Sequence, residues 1–450
     1  MSRIANRLTT FLNKPIYTSP LTIFRFAFGI MMFISLVRFA ANGWIDAQYI
    51  QPEFFFTFYG FEWVKPLNET GMYAVFAVMM LAALFVAFGI FYRISIITFF
   101  LLFTYVELID KTNYLNHYYF ISLLSFLMCF LPSNLAGFKN LRGFVFIIQL
   151  QIAIVYFFAG IAKINSDWLL HAMPLKIWLA SKADLPLIGN LLTERWVAYT
   201  FSWCGMLFDV SIIFFLFNRK TVWYAYAVVV VFHTLTAILF PGIGMFPFIM
   251  MVCATIFLPA TFHEQVLQIA NRGWRMIDLK IPSMQFNLWP KIHNLKFYLI
   301  PTFTIFFLIQ FALPFRYLLY PENLFWHEQG YRFSWRVMLM EKAGTVFFTI
   351  RGSDGKLFEV NNRDFLTMQQ EKQMSTQPDM ILQFAHHLAE LYHSKEVYAE
   401  AYVALNGRAS QLLIDPMQNL CEVQDGFANK EWITSPHSLN EVEVLTASNR

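Results

Sequence analysis

Apolar stretches long enough, or nearly long enough, to cross a membrane recur through the first 315 residues of the chain. A transmembrane helix needs about 20 mostly apolar residues. Only 14% of the residues are charged, against about 25% in soluble domains. The sequence therefore predicts a polytopic α-helical membrane domain with eight or nine transmembrane helices. The stretches lie near 20–40, 73–91, 93–109, 117–131, 143–162, 199–217, 222–240, 244–259 and 297–315.

The composition changes after residue 320. The segments "FSWRVMLM" and "TVFFTIRGSDGKLFEV" have the aromatic and β-branched content of strands, with Gly355 in the turn of the second. "DMILQFAHHLAELYH" has helical spacing, and "YAEAYVALNGRASQLLID" alternates as a strand does. We therefore expect a transmembrane domain over 1–320, followed by a small α+β extramembrane domain over 321–450.

The positive charges predict an orientation. With the N-terminus inside, thirteen Lys and Arg residues fall in inner segments and six in outer connections, and the excess marks the inner side. Nine crossings then put the second domain outside, in the periplasm or a lumen. The first stretch, from Leu21 to Ala41, is too long for a signal-peptide core and is interpreted as a retained helix. No basic tract points to a nucleic-acid partner.

Polar residues near the ends of the stretches are the candidates for chemistry, because ionisable groups in a membrane are costly and usually face a protein interior or a cavity. Those at or near the expected outer face are Asp110, Lys111, Asn116, His117, Lys163 and His233.

Each candidate also has a structural interpretation. Lys163, which ends "YFFAGIAK", could extend to the headgroup region as lysines at helix ends often do. His233 could bond a neighbouring helix, and Asp209 needs a cation from another helix. A metal site built from His117, His171 and His233 has no supporting spacing, so no metal is expected. A lysine in an apolar site is less readily charged and can act as a general base towards a lipid-soluble acid such as a quinol.

Several quoted segments together resemble the vitamin K-dependent γ-glutamyl carboxylase family, in its shorter bacterial form with an HTTM-type membrane domain. The D-K-T-x-x-x-N-H and A-G-x-x-K elements are the most specific. The matching segments are "LTIFRFAFG" (21–29), "FYRISIITF" (91–99), "ELIDKTNYLNHYYF" (107–120), "IVYFFAGIAKINSDWL" (154–169), "FDVSIIFFLF" (208–217), "FHTLTAILFPGIGMF" (232–246), "GYRFSWRVMLM" (330–340), "RGSDGKLFEV" (351–360) and "VALNGRASQLLIDP" (403–416).

The resemblance implies a reaction in two stages. A base removes a proton from vitamin K hydroquinone, or a related menaquinol, which reacts with O2 and ends as the epoxide. The strong base made on the way removes a γ-proton from a glutamyl side chain, and the carbanion adds CO2. The implied partner is a glutamate-containing protein or peptide, and water must be excluded from the site.

The resemblance also implies roles for individual residues. Lys163 is the base, and His117 handles a proton at the glutamyl carbanion. Asn116 orients the substrate or the hydroquinone oxygen, and His233 belongs to the quinone pocket. Asp110 and Lys111, which open the D-K-T-x-x-x-N-H element, are assigned to substrate or quinone binding.

The vertebrate enzymes of this family have two adjacent lysines where this chain has Ala162 before Lys163, and they continue through a long lumenal extension beyond the position of Arg450. Two narrower functions therefore stay open. One is hydroquinone epoxidation without carboxylation, and the other is a non-catalytic membrane module or transporter that binds quinone or lipid. The expected location is the bacterial inner membrane, with a cytoplasmic N-terminus and a periplasmic second domain.

Overall fold

The computed structural model describes residues 10–132, 140–275, 295–352 and 354–436. Thirteen α-helices, together with shorter helical turns, form the first part of the described chain. They are α1 (Ser19–Ala41), α2 (Glu69–Phe88), α3 (Tyr92–Ile109), α4 (Asn116–Met128), α5 (Arg142–Ala162), α6 (Ser166–His171), α7 (Leu175–Ala180), α8 (Gly189–Leu192), α9 (Arg195–Phe217), α10 (Val222–Leu239), α11 (Phe246–Ala254), α12 (Ala260–Arg275) and α13 (Leu295–Ala312).

Within the described ranges, seven segments are long and apolar enough to cross a membrane. The α11–α12 region, bent by 109°, raises the number to eight if it counts as one span. The upper count equals the lower end of the expected eight or nine, and the structure confirms a polytopic helical membrane domain.

The stretch expected at 117–131 forms the short helix α4, of 13 residues. The hydroxyl of Tyr92, at the start of α3, donates to the carbonyl oxygen of Met128 at the end of α4, at 2.8 Å. Because the end of α4 meets the beginning of α3, the two helices run antiparallel through the same layer. The short helix thus returns the chain to the side where α3 began.

A small domain with an antiparallel sheet follows the helical layer. Its strands are β3 (Lys342–Arg351), β4 (Leu357–Val360), β5 (Val397–Leu405) and β6 (Gln411–Leu412), in the order β4-β3-β5-β6. Helices α14 (Leu324–His327), α15 (Met368–Met374) and α16 (Pro378–Leu391) accompany the sheet. Along β5 buried residues alternate with less buried ones, as in a strand with one face on a core. A separate two-stranded pair in the helical part of the chain joins β1 (Pro15–Ile16) and β2 (Asn140–Leu141).

The expected β3–β4 hairpin is confirmed, with Gly355 at a φ of 79° in its turn. That angle lies in the left-handed region, which glycine reaches without a steric cost. Ser353 of the same turn, and residues 437–450 of the expected second domain, lie outside the described residues.

The prediction of a strand in "FSWRVMLM" was wrong. Residues 333–340 form turns and irregular backbone, with φ values of 64° at Phe333, 60° at Trp335 and 52° at Met338. Left-handed residues interrupt the extended backbone that a strand requires. Trp335 is instead almost fully buried and stacks on Tyr119 of α4, with 5.1 Å between ring centroids.

The sheet domain packs on one side of the helical layer, which we call the sheet-domain face; it carries residues 54–57, 110–116 and 163–178. Gln370 of α15 donates to the carbonyl oxygen of Phe54 at 2.7 Å. Asn406, after β5, donates to Asp167 Oδ2 at 2.7 Å. The sheet domain therefore lies directly over the helix ends that carry most of the candidate residues.

Candidate active site beneath the sheet domain

A cavity of about 300 Å³ lies among α5, α9, α10 and α11, near the sheet-domain face. Val337 and Met338, from the irregular segment after Trp335, contribute to its wall from the sheet-domain side. Cys204 of α9 and Leu235 of α10 line it and are exposed. The polar side chains Tyr156, Lys163, Asp209 and His233 line it too, among mostly apolar residues.

Lys163 follows the last turn of α5, and its side chain is 8% exposed. Its Nζ donates to Asp209 Oδ2 of α9 at 2.7 Å and to the carbonyl oxygen of Ala159 at 3.3 Å. The nitrogen also lies 5.4 Å from the ring centroid of Trp168. Lys163 thus points into the protein, and the cation that Asp209 required from another helix is this lysine.

The glycine of the A-G-x-x-K element explains why these two helices approach so closely. A Cβ atom at Gly160 would lie 2.6 Å from the backbone nitrogen of Val210, well inside van der Waals contact. Any larger residue would push α9 away from α5 at the level of Asp209. Gly160 therefore allows the ion pair three residues later to form.

His233 of α10 is 2% exposed, and its Nε2 lies 2.8 Å from the hydroxyl of Tyr156. Its Nδ1 has no hydrogen-bond partner within the described part of the chain. Because His233 lines the cavity, this free ring nitrogen is a polar group that a ligand in the cavity can satisfy.

His117 is not one of the described residues that line this cavity. It lies close behind one of the cavity walls. The ring of Phe246, which lines the cavity, has its centroid 6.0 Å from that of His117 and 6.0 Å from that of His233. His117 is 5% exposed. The two histidines thus lie near the same phenylalanine, one at the cavity and one behind it.

Asn116 adjoins the segment that covers the cavity. Its Nδ2 donates to the carbonyl oxygen of Arg336 at 2.9 Å, and its Oδ1 accepts from the hydroxyl of Tyr114 at 3.1 Å. Arg336 precedes the cavity-lining residue Val337 in the chain. Asn116 therefore holds the covering segment in place in this structure.

Asp110 lies at the junction between the two domains and outside the cavity lining. Its carboxylate accepts from the backbone nitrogen of Thr112 at 2.8 Å and from Gln370 Nε2 at 2.9 Å. Burial raises the pKa of this carboxyl although both hydrogen bonds oppose the shift.

Lys111 is also part of the junction. Its Nζ lies 2.8 Å from Asp379 Oδ2 of α16, which also pairs with Arg332 at 2.8 Å. Burial lowers the pKa of Lys111, and Asp379 partly offsets this. Of the six candidates, Lys163 and His233 line one cavity, His117 and Asn116 lie at its edge, and Asp110 and Lys111 join the domains.

Two residues of this arrangement were missing from the sequence-based set. The sequence around Asp209 offers this acid no local partner, and its partner Lys163 is 46 residues away in the chain. Tyr156 precedes Lys163 by seven residues, with Ala159 between them, and this helical spacing puts all three on one face of α5. The spacing of three and seven residues is therefore the sequence feature from which Tyr156 could have been predicted to lie near Lys163.

No three His, Cys, Asp or Glu side chains are grouped so that they could hold a metal ion, within residues 10–132, 140–275, 295–352 and 354–436.

Comparisons with known proteins cover both parts of the chain. The HTTM domain family model matches residues 13–137 and 142–262, which together are more than half of the chain. The model of the vitamin K-dependent gamma-carboxylase lumenal domain matches residues 295–438. No solved structure matches the chain. With its membrane-spanning helices and these two domains in order, the chain is an integral membrane protein that belongs to the vitamin K-dependent gamma-carboxylase family.

Proposed function

We propose that this protein oxygenates a reduced naphthoquinone to its epoxide and uses that reaction to carboxylate glutamyl residues. One hydroquinone, one O2, one CO2 and one glutamyl residue would give one epoxide, one γ-carboxyglutamyl residue and one water. The observation that carries the proposal is an amine, Lys163, buried in a largely apolar cavity at the sheet-domain face.

The cavity suits a vitamin K hydroquinone or a related menaquinol. Its volume of about 300 Å³ is at the lower end of the range for small-molecule sites, about 300–1,000 Å³. Apolar walls can take the aromatic ring, and Lys163 Nζ and the free Nδ1 of His233 can meet its oxygens. The exposed lining residues Cys204 and Leu235 offer a route from the lipid between α9 and α10.

In this proposal Lys163 and Asp209 act together as the base. Lys163 can accept a proton only as a free amine, so the ammonium of the ion pair must first give up its proton before it can act on the hydroquinone. When Nζ takes the hydroquinone proton it becomes an ammonium, and Asp209 Oδ2 at 2.7 Å stabilises that charge. The carboxylate thus favours the product of the proton transfer, inside a cavity from which bulk water is largely excluded.

His117 and Asn116 are proposed to serve the glutamyl side chain. Both lie beside the wall formed by Phe246 and by the segment that follows Arg336. His117 would handle a proton at the γ-carbon, and Asn116 would orient the substrate. Asp110 and Lys111 would contribute by holding the sheet domain over the site, where a glutamate-containing peptide or protein would arrive.

We further propose that the protein resides in a bacterial inner membrane with its N-terminus in the cytoplasm. The sheet domain packs on the face that carries Lys163, which supports placing the two on one and the same side of the membrane. The excess of Lys and Arg in the inner connections supports the same orientation.

The test is a reaction with purified full-length protein, vitamin K hydroquinone, O2, labelled CO2 and a glutamate-rich peptide. Epoxide and labelled γ-carboxyglutamate are both expected. Lys163→Ala should abolish epoxide formation, whereas Lys176→Ala should not. Lys176 is a matched control because it lies on the same face of the helical layer but does not line the cavity. Its Nζ donates a hydrogen bond to the hydroxyl of Tyr199.

The outcomes separate the two alternative functions. Epoxide without labelled peptide would select an epoxidase that has no carboxylase activity. Neither product, with saturable quinone binding, would select a non-catalytic binding module. Epoxide formation by Lys163→Ala at the wild-type rate would show that Lys163 is not the base.

A further inference from the structure

A second cavity, of about 290 Å³, lies at the sheet-domain face beside the end of α5. It uses different residues of α5 from the candidate active site, because Phe158 and Ala162 line it whereas Ala159 and Lys163 line the other. The connection that follows α13 and the start of the sheet domain complete its walls. Representative lining residues are Phe158, Ala162, Asn165, Phe315, Ser334 and Arg336.

Arg336 is a buried cation in this cavity. The residue is 7% exposed, and no ion pair of the described chain includes it. Its guanidinium carbon lies 4.4 Å from the ring centroid of Tyr317. Its Nε has no hydrogen-bond partner among the described residues. Burial lowers the pKa of Arg336, but an arginine side chain stays charged in proteins.

The two acids that line the same cavity do not form an ion pair with this charge. Asp167 pairs with Arg408 at 2.5 Å and accepts from Asn406. Glu322 is exposed and accepts from the hydroxyl of Ser435. A buried cation without an adjacent anion is costly, so an anionic ligand would be strongly favoured at Arg336.

Both polar and apolar side chains lie exposed around the mouth of this cavity. Ser166 and Glu322 are its exposed polar residues. Ile164 is 55% exposed and Phe315 is 40% exposed, and Phe311 of α13, which packs on Phe158, is 52% exposed. Exposed apolar side chains beside polar ones, at the ends of two membrane helices, match the boundary between hydrocarbon and headgroups.

The geometry points to a phospholipid site in which the guanidinium of Arg336 binds the lipid phosphate and the acyl chains run along Phe315 and Ile161. A planar guanidinium can donate two parallel hydrogen bonds to phosphate oxygens. This site is separate from the quinol reaction and does not depend on it.

A glutamyl carboxylate would also suit a guanidinium, but the apolar flank argues for the lipid. A glutamate-rich peptide has few apolar side chains with which to cover exposed Ile164, Phe315 and Phe311, whereas an acyl chain covers them. The helix α5 also separates this cavity from the one that holds Lys163.

The test is native mass spectrometry of detergent-purified full-length protein titrated with dioleoylphosphatidylglycerol. Dioleoylglycerol, which lacks the phosphate, and glycerol phosphate, which lacks the acyl chains, are the comparison ligands. One tightly bound phospholipid is expected, with much weaker binding of either comparison ligand. Arg336→Gln should lower the affinity for the phospholipid at least about tenfold, because the variant loses the charge-assisted hydrogen bonds to the phosphate.

Two further variants keep the result interpretable. Arg336→Lys retains the charge without the planar fork, so it should bind with intermediate affinity and report on folding. Arg195→Gln, an exposed arginine at the start of α9 on the same face and outside the cavity lining, should bind as the wild type does.

Four results would overturn the lipid assignment. They are unchanged phospholipid binding by Arg336→Gln, an equal loss with Arg195→Gln, tight binding of dioleoylglycerol, and binding of glycerol phosphate as tight as that of the lipid. Displacement of the phospholipid by a glutamate-rich peptide, dependent on Arg336, would reassign the cavity to the peptide.

Discussion

Lys163 Nζ lies 2.7 Å from Asp209 Oδ2, and both side chains are less than a tenth exposed. The pair joins α5 to α9 at the wall of the candidate active site. A buried ion pair contributes little compared with well-packed apolar residues, but the removal of one partner leaves an uncompensated charge. The effects of the two residues on stability should therefore be strongly coupled.

Lys163→Met and Asp209→Leu should each lower the free energy of unfolding by about 3–5 kcal/mol, because each leaves a buried charge alone. The double variant should lose much less than the sum of the two. A double-mutant cycle on denaturant unfolding in detergent measures this coupling. Additive losses would show that the two groups do not interact energetically.

Tyr156→Phe should reduce the efficiency of epoxide formation by about fivefold, the value of one hydrogen bond of about 1 kcal/mol. The variant removes the bond that orients His233 in the cavity wall. The loss should appear mainly in KM for the hydroquinone, since the proposed role of His233 is binding. Tyr224→Phe is the control, because Tyr224 lies on α10, the helix that carries His233, and is 78% exposed. An unchanged KM in Tyr156→Phe would argue against this role.

His117→Ala should reduce carboxylation much more than epoxidation. The imidazole lies behind Phe246 rather than in the lining of the cavity with Lys163, so the hydroquinone reaction should survive its removal. Both products are measured from one reaction mixture, and their ratio is the readout. Equal loss of both would indicate that His117 holds the quinone.

Asp379→Asn should destabilise the packing of the sheet domain on the helices by about 3 kcal/mol or more. It removes the common counter-charge of Lys111 and Arg332. Limited proteolysis of the domain junction and thermal unfolding both report the change. Asp354→Asn, in a pair of 3.7 Å with both side chains more than half exposed, should change stability by less than about 1 kcal/mol.

The Asp379 carboxylate should also make the stability of the protein depend on pH. Burial opposes it, but Arg332 and Lys111 hold the pKa of Asp379 well below its ordinary value, about 3.9. Because the pKa is depressed in the folded protein, this stabilisation is fully present above about pH 4 and is lost as the pH falls below that value. Asp379→Asn should lose this part of the acid sensitivity.

His327 predicts a second pH effect at milder acidity. Burial, with a smaller effect from Lys342, lowers its pKa from 6.5 to about 4. Between these values the unfolded chain binds a proton that the folded chain does not, so stability falls as the pH falls. The slope from one such group is at most about 1.4 kcal/mol per pH unit. The melting temperature of the wild type should therefore fall faster than that of His327→Gln between pH 7 and 5, and parallel curves would contradict this.

Local patterns predicted much of the architecture. Apolar length gives a membrane helix nearly directly, because every backbone group must be satisfied within the segment. The hairpin at Gly355 and helix α16 followed from residues adjacent in the chain. The segment at 333–340 failed for a matching reason. Its aromatic and β-branched content favours a strand, but its backbone is set by packing against α4 and by the hydrogen bond from Asn116 to the carbonyl oxygen of Arg336.

The sequence by itself determined that this chain enters a membrane, that a sheet domain follows, and that Lys163 ends a helix in a family-specific element. Only the tertiary structure decided what each polar group meets. It paired Lys163 with Asp209 because Gly160 lets two helices touch, moved Asp110 and Lys111 into the domain junction, and left Arg336 buried without an ion-pair partner in the described chain. Such partners lie tens or hundreds of residues apart, so helix packing chooses them and local pattern does not.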